Sequence, residues 1–213
     1  MKKLLAIVVG KAIAFSAHLL TSVRGFWLGT APLPETRVYF ANHRSHGDFV
    51  LIWAVLPPQL RKNARPVAAA DYWLRSRVRR FIIADVFNGI AIEREAADRQ
   101  VCPIAQMAQA LDLRQSLILF PEGTRHAGGG DLLPFRSGLF HLAKARPEVA
   151  LVPVWIENLN RVLPKGEILP VPIACTVTFG KDLHVEPDET KDAFLARAAA
   201  ALIATRPDAK ATE

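Results

Sequence analysis

The sequence predicts an α/β domain with a mixed, largely parallel sheet flanked by helices and an apolar interfacial helix at the N-terminus. Three observations carry this. Short apolar runs of strand length alternate with longer stretches of helical period. Residues 1–20 are largely apolar but carry Lys11 near the middle. The 213 residues show neither internal repeats nor a low-complexity linker, and they suffice for one substantial core. The predicted organisation is an N-terminal interfacial segment over 1–29, a single domain over 30–205 and a polar tail over 206–213.

Met1-Lys2-Lys3 gives a basic start, Leu4 to Gly10 an apolar run, and Ala12 to Leu20 continues it at helical spacing beyond Lys11. A membrane-spanning helix wants about 20 uninterrupted apolar residues. A helix lying in the interface tolerates the lysine by snorkelling, with Arg24, Phe26 and Trp27 helping at its far end. A cleaved signal peptide and an ordinary core helix are the competing readings.

Pro32 and Pro34 mark a connector to the strand Val38–Ala41, and the helix Phe49–Leu56 is closed by Pro57-Pro58. A second strand, Pro66–Ala70, leads to Asp71-Tyr72-Trp73-Leu74 inside a basic run. Between 61 and 80 stand Arg61, Lys62, Arg65, Arg75, Arg77, Arg79 and Arg80 against the single acid Asp71. Such a run is either a solvated face or, with Tyr72 and Trp73 beside it, an interfacial segment on anionic lipid. The apolar stretch Phe81–Phe87 precedes a strand over 89–92 that delivers Arg94. A helix over about 96–114 puts Ile104, Met107, Ala108 and Leu111 on one face. The strand Leu117–Phe120 follows. Next comes a loop at 126–130 that lacks the Gly-Lys-Ser/Thr of a nucleotide-binding loop. Helix 138–146, strand 151–156, a long connector over 158–172, strand 173–179 and an Ala-rich helix over about 189–204 complete the domain.

Lys and Arg number 27 against 20 Asp and Glu, giving a net charge of +7 and a pI of about 9.8. That balance suits an anionic partner. Nothing resembles a zinc finger, a helix-turn-helix or an aromatic RNA-binding motif, so lipid is favoured and no nucleic acid partner is expected. Cys102 and Cys175 form no Cys-x-x-Cys pair, which fits a reducing compartment and implies no metal site.

Candidate chemistry begins at Asn42-His43-Arg44-Ser45-His46-Gly47-Asp48. His43 ends a strand and Asp48 opens a helix, so the bend can bring imidazole and carboxylate together. An Asp accepting from Nδ1–H leaves Nε2 to take a proton, which is the base and orienter of a hydrolase triad. In the competing reading, Ser45 is an N-cap with Asp48 as its helix-dipole acid. No Gly-x-Ser-x-Gly is present and neither cysteine lies in a nucleophile motif, so the nucleophile is expected from the substrate.

A second motif, Phe120-Pro121-Glu122-Gly123-Thr124-Arg125, follows another strand and presents an acceptor, a turn glycine and a guanidinium fork. Together the two motifs resemble those of the glycerolipid acyltransferase family, whose members include 1-acylglycerol-3-phosphate acyltransferases. Gly89-Ile90-Ala91-Ile92-Glu93-Arg94, Phe135-Arg136-Ser137-Gly138-Leu139 and Leu151-Val152-Pro153-Val154 resemble further blocks in the same order, over roughly residues 36 to 180. Arg44, His46 and Glu93 depart from the family's commoner residues.

The resemblance implies a membrane-associated enzyme on the cytoplasmic face, acting in phospholipid biosynthesis. His43 would be the catalytic base and Asp48 its orienter. Arg94 and Arg125 would clamp the acceptor phosphate, with Glu122, Gly123 and Thr124 around the acceptor and Pro153 beside the acyl chain. Acyl-CoA or acyl-carrier protein would be co-substrate, with no further cofactor, and lysophosphatidic acid the acceptor. Another lysophospholipid acceptor, a thioesterase using water, and a non-catalytic membrane-surface protein are the alternatives.

Overall fold

The structure, a computed structural model, describes residues 1–45, 47–93, 101–126, 131–158 and 174–207. Its organising feature is strands that are apolar on both faces because both faces are covered. Every residue of β2 (Arg37–Ala41) and β5 (Ser116–Leu119) is buried. β2 lies between β5 and β6 (Ala150–Glu157), parallel to both, with Phe40 opposite Leu119 on one side and Pro153 on the other.

Among the described residues seven strands stand in the order β1-β7-β6-β2-β5-β3-β4. β3 (Ala64–Ala69) and β4 (Ile90–Ile92) continue the parallel array beyond β5. On the other side β7 (Thr176–Phe179) runs antiparallel to β6, and β1 (Arg24–Trp27) parallel to β7. The sheet is therefore mixed and largely parallel, as the sequence predicts.

Side chains alternate between two apolar layers. Tyr39, Ala41, Ile118, Val152 and Val154 face one layer, built with Phe49, Ile52 and Leu56 of α2 (Asp48–Val55) and its end. Val38, Phe40, Leu117 and Leu151 face the other, against α6 (Pro103–Asp112), α7 (Gly138–Ala145) and α8 (Lys191–Ala204). Phe40 and Ile118 are fully buried, and each contributes about 1.5–3 kcal/mol through lost apolar hydration. Short helices α3 (Pro58–Arg61), α4 (Ala70–Trp73) and α5 (Arg77–Arg80) connect the strands, and α5 runs directly into a π-helical turn over Phe81–Val86.

Segment 1–29 differs from the expectation of a helix alone. α1 (Lys2–Thr21) is followed by β1, which joins the sheet edge. Arg24-Gly25-Phe26-Trp27 gives no strand signal by itself. It pairs because β7 offers a free edge and Gly25 leaves room for Val55, whose Cβ would lie 3.1 Å from a Cβ at that position. The Cys175 amide donates to Thr21 O and the Arg24 amide to Cys175 O, tying the end of α1 to the start of β7.

α1 seats on α2 and the π-turn through a stripe of small residues, Ala6, Gly10 and Ala14, at helical spacing. Gly10 is closest, since a Cβ there would lie 3.3 Å from Val86 and 3.6 Å from Trp53. Lys2 pairs with Asp85 at 3.0 Å. The outward side carries exposed Leu4, Leu5, Ile7, Val8, Phe15 and Leu19. The helix is long and apolar enough to cross a membrane, yet it lies along the domain. Of the predicted helix 96–114, residues 101–114 are described, and the helix itself covers Pro103–Asp112. Residues 94–100, most of the connector 158–172 and the tail from 208 lie outside them.

Gly10→Leu is expected to prop α1 off its seat and to destabilise the protein by about 1–3 kcal/mol, as overpacking does. A urea titration reads the loss, and limited proteolysis should cut first at residues 21–24.

Candidate active site

Parallel strands direct their carboxyl ends to one edge of the sheet, where ligands of such sheets bind. β2 delivers Asn42 and His43, β5 delivers Phe120 to Arg125, and β3 delivers Tyr72 and Trp73 through α4. Between them lies a cavity of about 750 Å³ lined by His43, Gly123, Thr124 and Arg125.

His43 Nδ1 lies 2.9 Å from Asp48 Oδ2. The same oxygen accepts the amides of Arg44 at 2.7 Å and Ser45 at 2.8 Å. Asp48 is 1% exposed at the start of α2, while the His43 side chain remains 19% exposed. Against a carboxylate, Nδ1 carries the proton and Nε2 is left as the basic nitrogen. The capping and dyad readings prove compatible. Asp48 accepts Ser45 N–H as a helix-start acid does, and it orients His43 with the same atom. Gly47, however, is the N-cap, and Ser45 Oγ accepts the Gly47 amide. The Phe120 ring stacks on His43 at 4.2 Å between centroids, fixing the imidazole plane.

The backbone at His43 is held as firmly as its side chain. Asn42 exchanges two hydrogen bonds with the Ile156 backbone, Nδ2–H to O at 2.9 Å and Oδ1 from N–H at 2.8 Å. His43 N–H donates to Glu122 Oε1 at 2.8 Å, and Leu133 N–H to Oε2 at 2.9 Å. Glu122 is 2% exposed. Expected beside the acceptor, it braces the His43 backbone with one carboxylate oxygen and the loop at Leu133 with the other. Pro153 is likewise set apart from the cavity. It is buried in β6, where its carbonyl accepts the Gly180 amide.

Thr124 and Arg125 are exposed on the cavity wall, and Gly123 has φ +69°. A side chain at Gly123 would be strained, and its Cβ would lie 2.4 Å from Nε of Arg136. That places the Arg136 guanidinium over the turn and in the cavity wall, where Arg75 also stands. Neither was singled out for the site from the sequence. The only available signal for Arg136 was its place in the basic-x-Gly stretch after the second motif. Asp71 and Glu93 line the same cavity, so its wall carries three arginines and two carboxylates. Arg94 lies outside the described residues. The apolar wall includes Val67, Ile92, Met107, Leu119 and Leu139.

Of the cysteines, Cys102 lines the cavity from the start of α6. Cys175 is buried and its thiol is pushed up to about 11, chiefly by loss of hydration, so it is neutral near pH 7 and no nucleophile. No cluster of His, Cys, Asp or Glu among the described residues could hold a metal ion.

The family model described as Acyltransferase matches residues 29–157. The chain is similar to the 1-acyl-sn-glycerol-3-phosphate acyltransferase of Escherichia coli strain K12, at 32% identity over 161 residues, covering 68% of this chain and 59% of the relative. It is also similar to the alpha form of Mus musculus, at 27% identity over 161 residues, covering 74% and 53%. The chain thus spans less than two thirds of the length of these relatives. In fold it is similar to the crystal structure of the 1-acyl-sn-glycerophosphate (LPA) acyltransferase PlsC from Thermotoga maritima. There the TM-score is 0.69 and the identity 18%, with 93% of this chain and 78% of that one covered.

Because Glu122 acts through the His43 backbone, Glu122→Gln should turn an amide NH₂ toward one of the two backbone donors. Stability should fall by about 1–3 kcal/mol, the cost of an unmet buried polar group. The rate constant for turnover is expected to fall with little change in acceptor KM. A large rise in acceptor KM at constant kcat would return Glu122 to the acceptor's side.

Proposed function

The chain belongs to the acyltransferase family, and on that premise we propose that it moves a fatty acyl group from an acyl thioester to the hydroxyl of lysophosphatidic acid at a membrane surface. The observation that carries this is the His43–Asp48 bond opening onto a cavity walled by arginines and apolar side chains.

His43 Nε2 removes the hydroxyl proton of the acceptor as that oxygen attacks the thioester carbonyl. Asp48 keeps the tautomer and stabilises the imidazolium. The tetrahedral intermediate collapses, the C–S bond breaks, and the imidazolium returns its proton to the leaving thiolate. The products are phosphatidic acid and the free thiol of coenzyme A or of a carrier protein. General-base catalysis of this kind supplies about 10² to 10⁴ in rate, and positioning contributes the remainder with electrostatic stabilisation.

Arg125 is assigned to the acceptor phosphate. A monoester carries close to two negative charges where a phosphodiester carries one, and a planar fork matches its oxygens. Arg136, over Gly123, adds a second guanidinium to that wall, and Arg94 is assigned with them. Water as acceptor, the thioesterase alternative, gives these cations no role. The apolar wall suits an acyl chain. Membrane attachment at the cytoplasmic face is assigned to the exposed apolar side of α1.

His43→Ala is expected to lose about 10²-fold or more of the transfer rate with folding intact, read as labelled acyl transfer with free fatty acid counted separately. Arg125→Lys keeps the charge and loses the fork, so KM for lysophosphatidic acid should rise substantially and any effect on a zwitterionic lysophospholipid should be smaller. Faster acylation of lysophosphatidylcholine than of lysophosphatidic acid by the unmodified protein would overturn the acceptor assignment. Deleting residues 1–21, which spares β1, should release the protein into the soluble fraction.

A further inference from the structure

The basic run of residues 61–80 divides in the fold. Arg61 is spent on the carbonyls of Ala54 and Leu56 and lies over the Trp53 ring. Arg65 is spent on Asn88 O and on Gln115 Oε1. Both are structural. Arg77, Arg79 and Arg80 are different, for none has an acidic partner among the described residues. Arg79 stacks on Tyr72 at 4.2 Å and donates to its carbonyl at 3.4 Å, and Arg80 reaches the Leu74 carbonyl at 3.5 Å. Arg77 and Arg80 are exposed.

Two apolar side chains stand among these cations: Val78 is 68% exposed and Leu74 37%. A merely solvated face has no use for them, whereas a surface that meets lipid uses both kinds of side chain at once. The segment is also continuous with the helix assigned to the membrane. α5 runs into the Phe81–Val86 turn, and the far end of that turn seats α1 through Lys2–Asp85 and Gly10–Val86. Val78 and Asp85 are seven residues apart, about 10 Å along a helix. In the other direction, Tyr72, Trp73 and Arg75 of the same segment line the cavity.

We propose that residues 74–80 form a second membrane contact, in which the exposed Arg77 and Arg80 bind anionic lipid headgroups around an inserted Leu74 and Val78, and so set the cavity mouth on a negatively charged leaflet. This rests on α1 being the membrane anchor. α1 supplies apolar attachment to any bilayer, and the arginine segment adds a preference for negative charge that salt screens. An acidic carrier protein would meet the same charges, but it gives no reason for the apolar pair or for continuity with α1.

The test uses the full chain, vesicles of phosphatidylcholine alone or mixed with phosphatidylglycerol, and the variants Arg77→Gln/Arg80→Gln and Arg77→Lys/Arg80→Lys. Cosedimentation should show tighter binding of the unmodified protein to the anionic vesicles, with the difference closing at high salt. The Gln pair should lose about tenfold or more on anionic vesicles and nothing on neutral ones, while the Lys pair should behave as the parent. Transfer between a short-chain acyl-CoA and a short-chain acceptor without vesicles should be unchanged in both, which confirms folding. Undiminished anionic-vesicle binding by the Gln pair would overturn the proposal, and so would a KM that rises for acyl-carrier protein alone. Deleting residues 1–21 separates the two ideas. If that variant still binds neutral vesicles the anchor assignment fails, whereas survival of the charge preference in the Gln pair counts against the arginine segment and leaves the anchor untouched.

Discussion

One oxygen holds the candidate site together. Asp48 Oδ2 receives the His43 imidazole and the amides of Arg44 and Ser45, so the turn that links β2 to α2 closes around a single buried acceptor. Losing that acceptor would strand three donors in a space with little water, a penalty well above the net worth of any one hydrogen bond. Placement of the His43 imidazole is thus a by-product of satisfying a turn. The same economy recurs at Glu122, whose two oxygens join the His43 backbone to the loop at Leu133.

Beyond this braced centre the cavity is electrostatically mixed. Arg75, Arg125 and Arg136 face it together with Asp71 and Glu93. Cations suit the phosphate proposed for the acceptor, and carboxylates among them discourage indiscriminate binding of any anion. The turn at Gly123 is where this arrangement is most constrained, since the backbone there is left-handed and the space a Cβ would fill is occupied by Arg136.

Much of this was legible in the sequence where burial writes a pattern. Val38–Ala41 and Leu117–Phe120 read as strands because both faces of each are covered, and the five-residue spacing of His43 and Asp48 closes as the strand-to-helix bend requires. β1 was illegible because an edge strand needs no apolar alternation and its pairing partner lies some 150 residues away. The bracing by Glu122 and the burial of Pro153 are not written in residue type alone. A motif names the carboxylate without saying whether it points to a ligand or to a backbone amide, and Pro153 sits in a strand that faces α8. The role of Arg136 was hidden because it depends on the absence of a side chain at Gly123.

The clamp between Asn42 and Ile156 joins residues 114 apart in sequence. Loops of that span close late, because their entropy is lost before distant contacts compensate for it. On a ribosome, residues 38–126 can emerge and begin to collapse while β6 is still within the exit tunnel. The base would then stand at the end of a strand with one neighbour missing. The strand that carries His43 therefore gains its second neighbour, and the clamp that fixes its end, only after most of the chain has been synthesised.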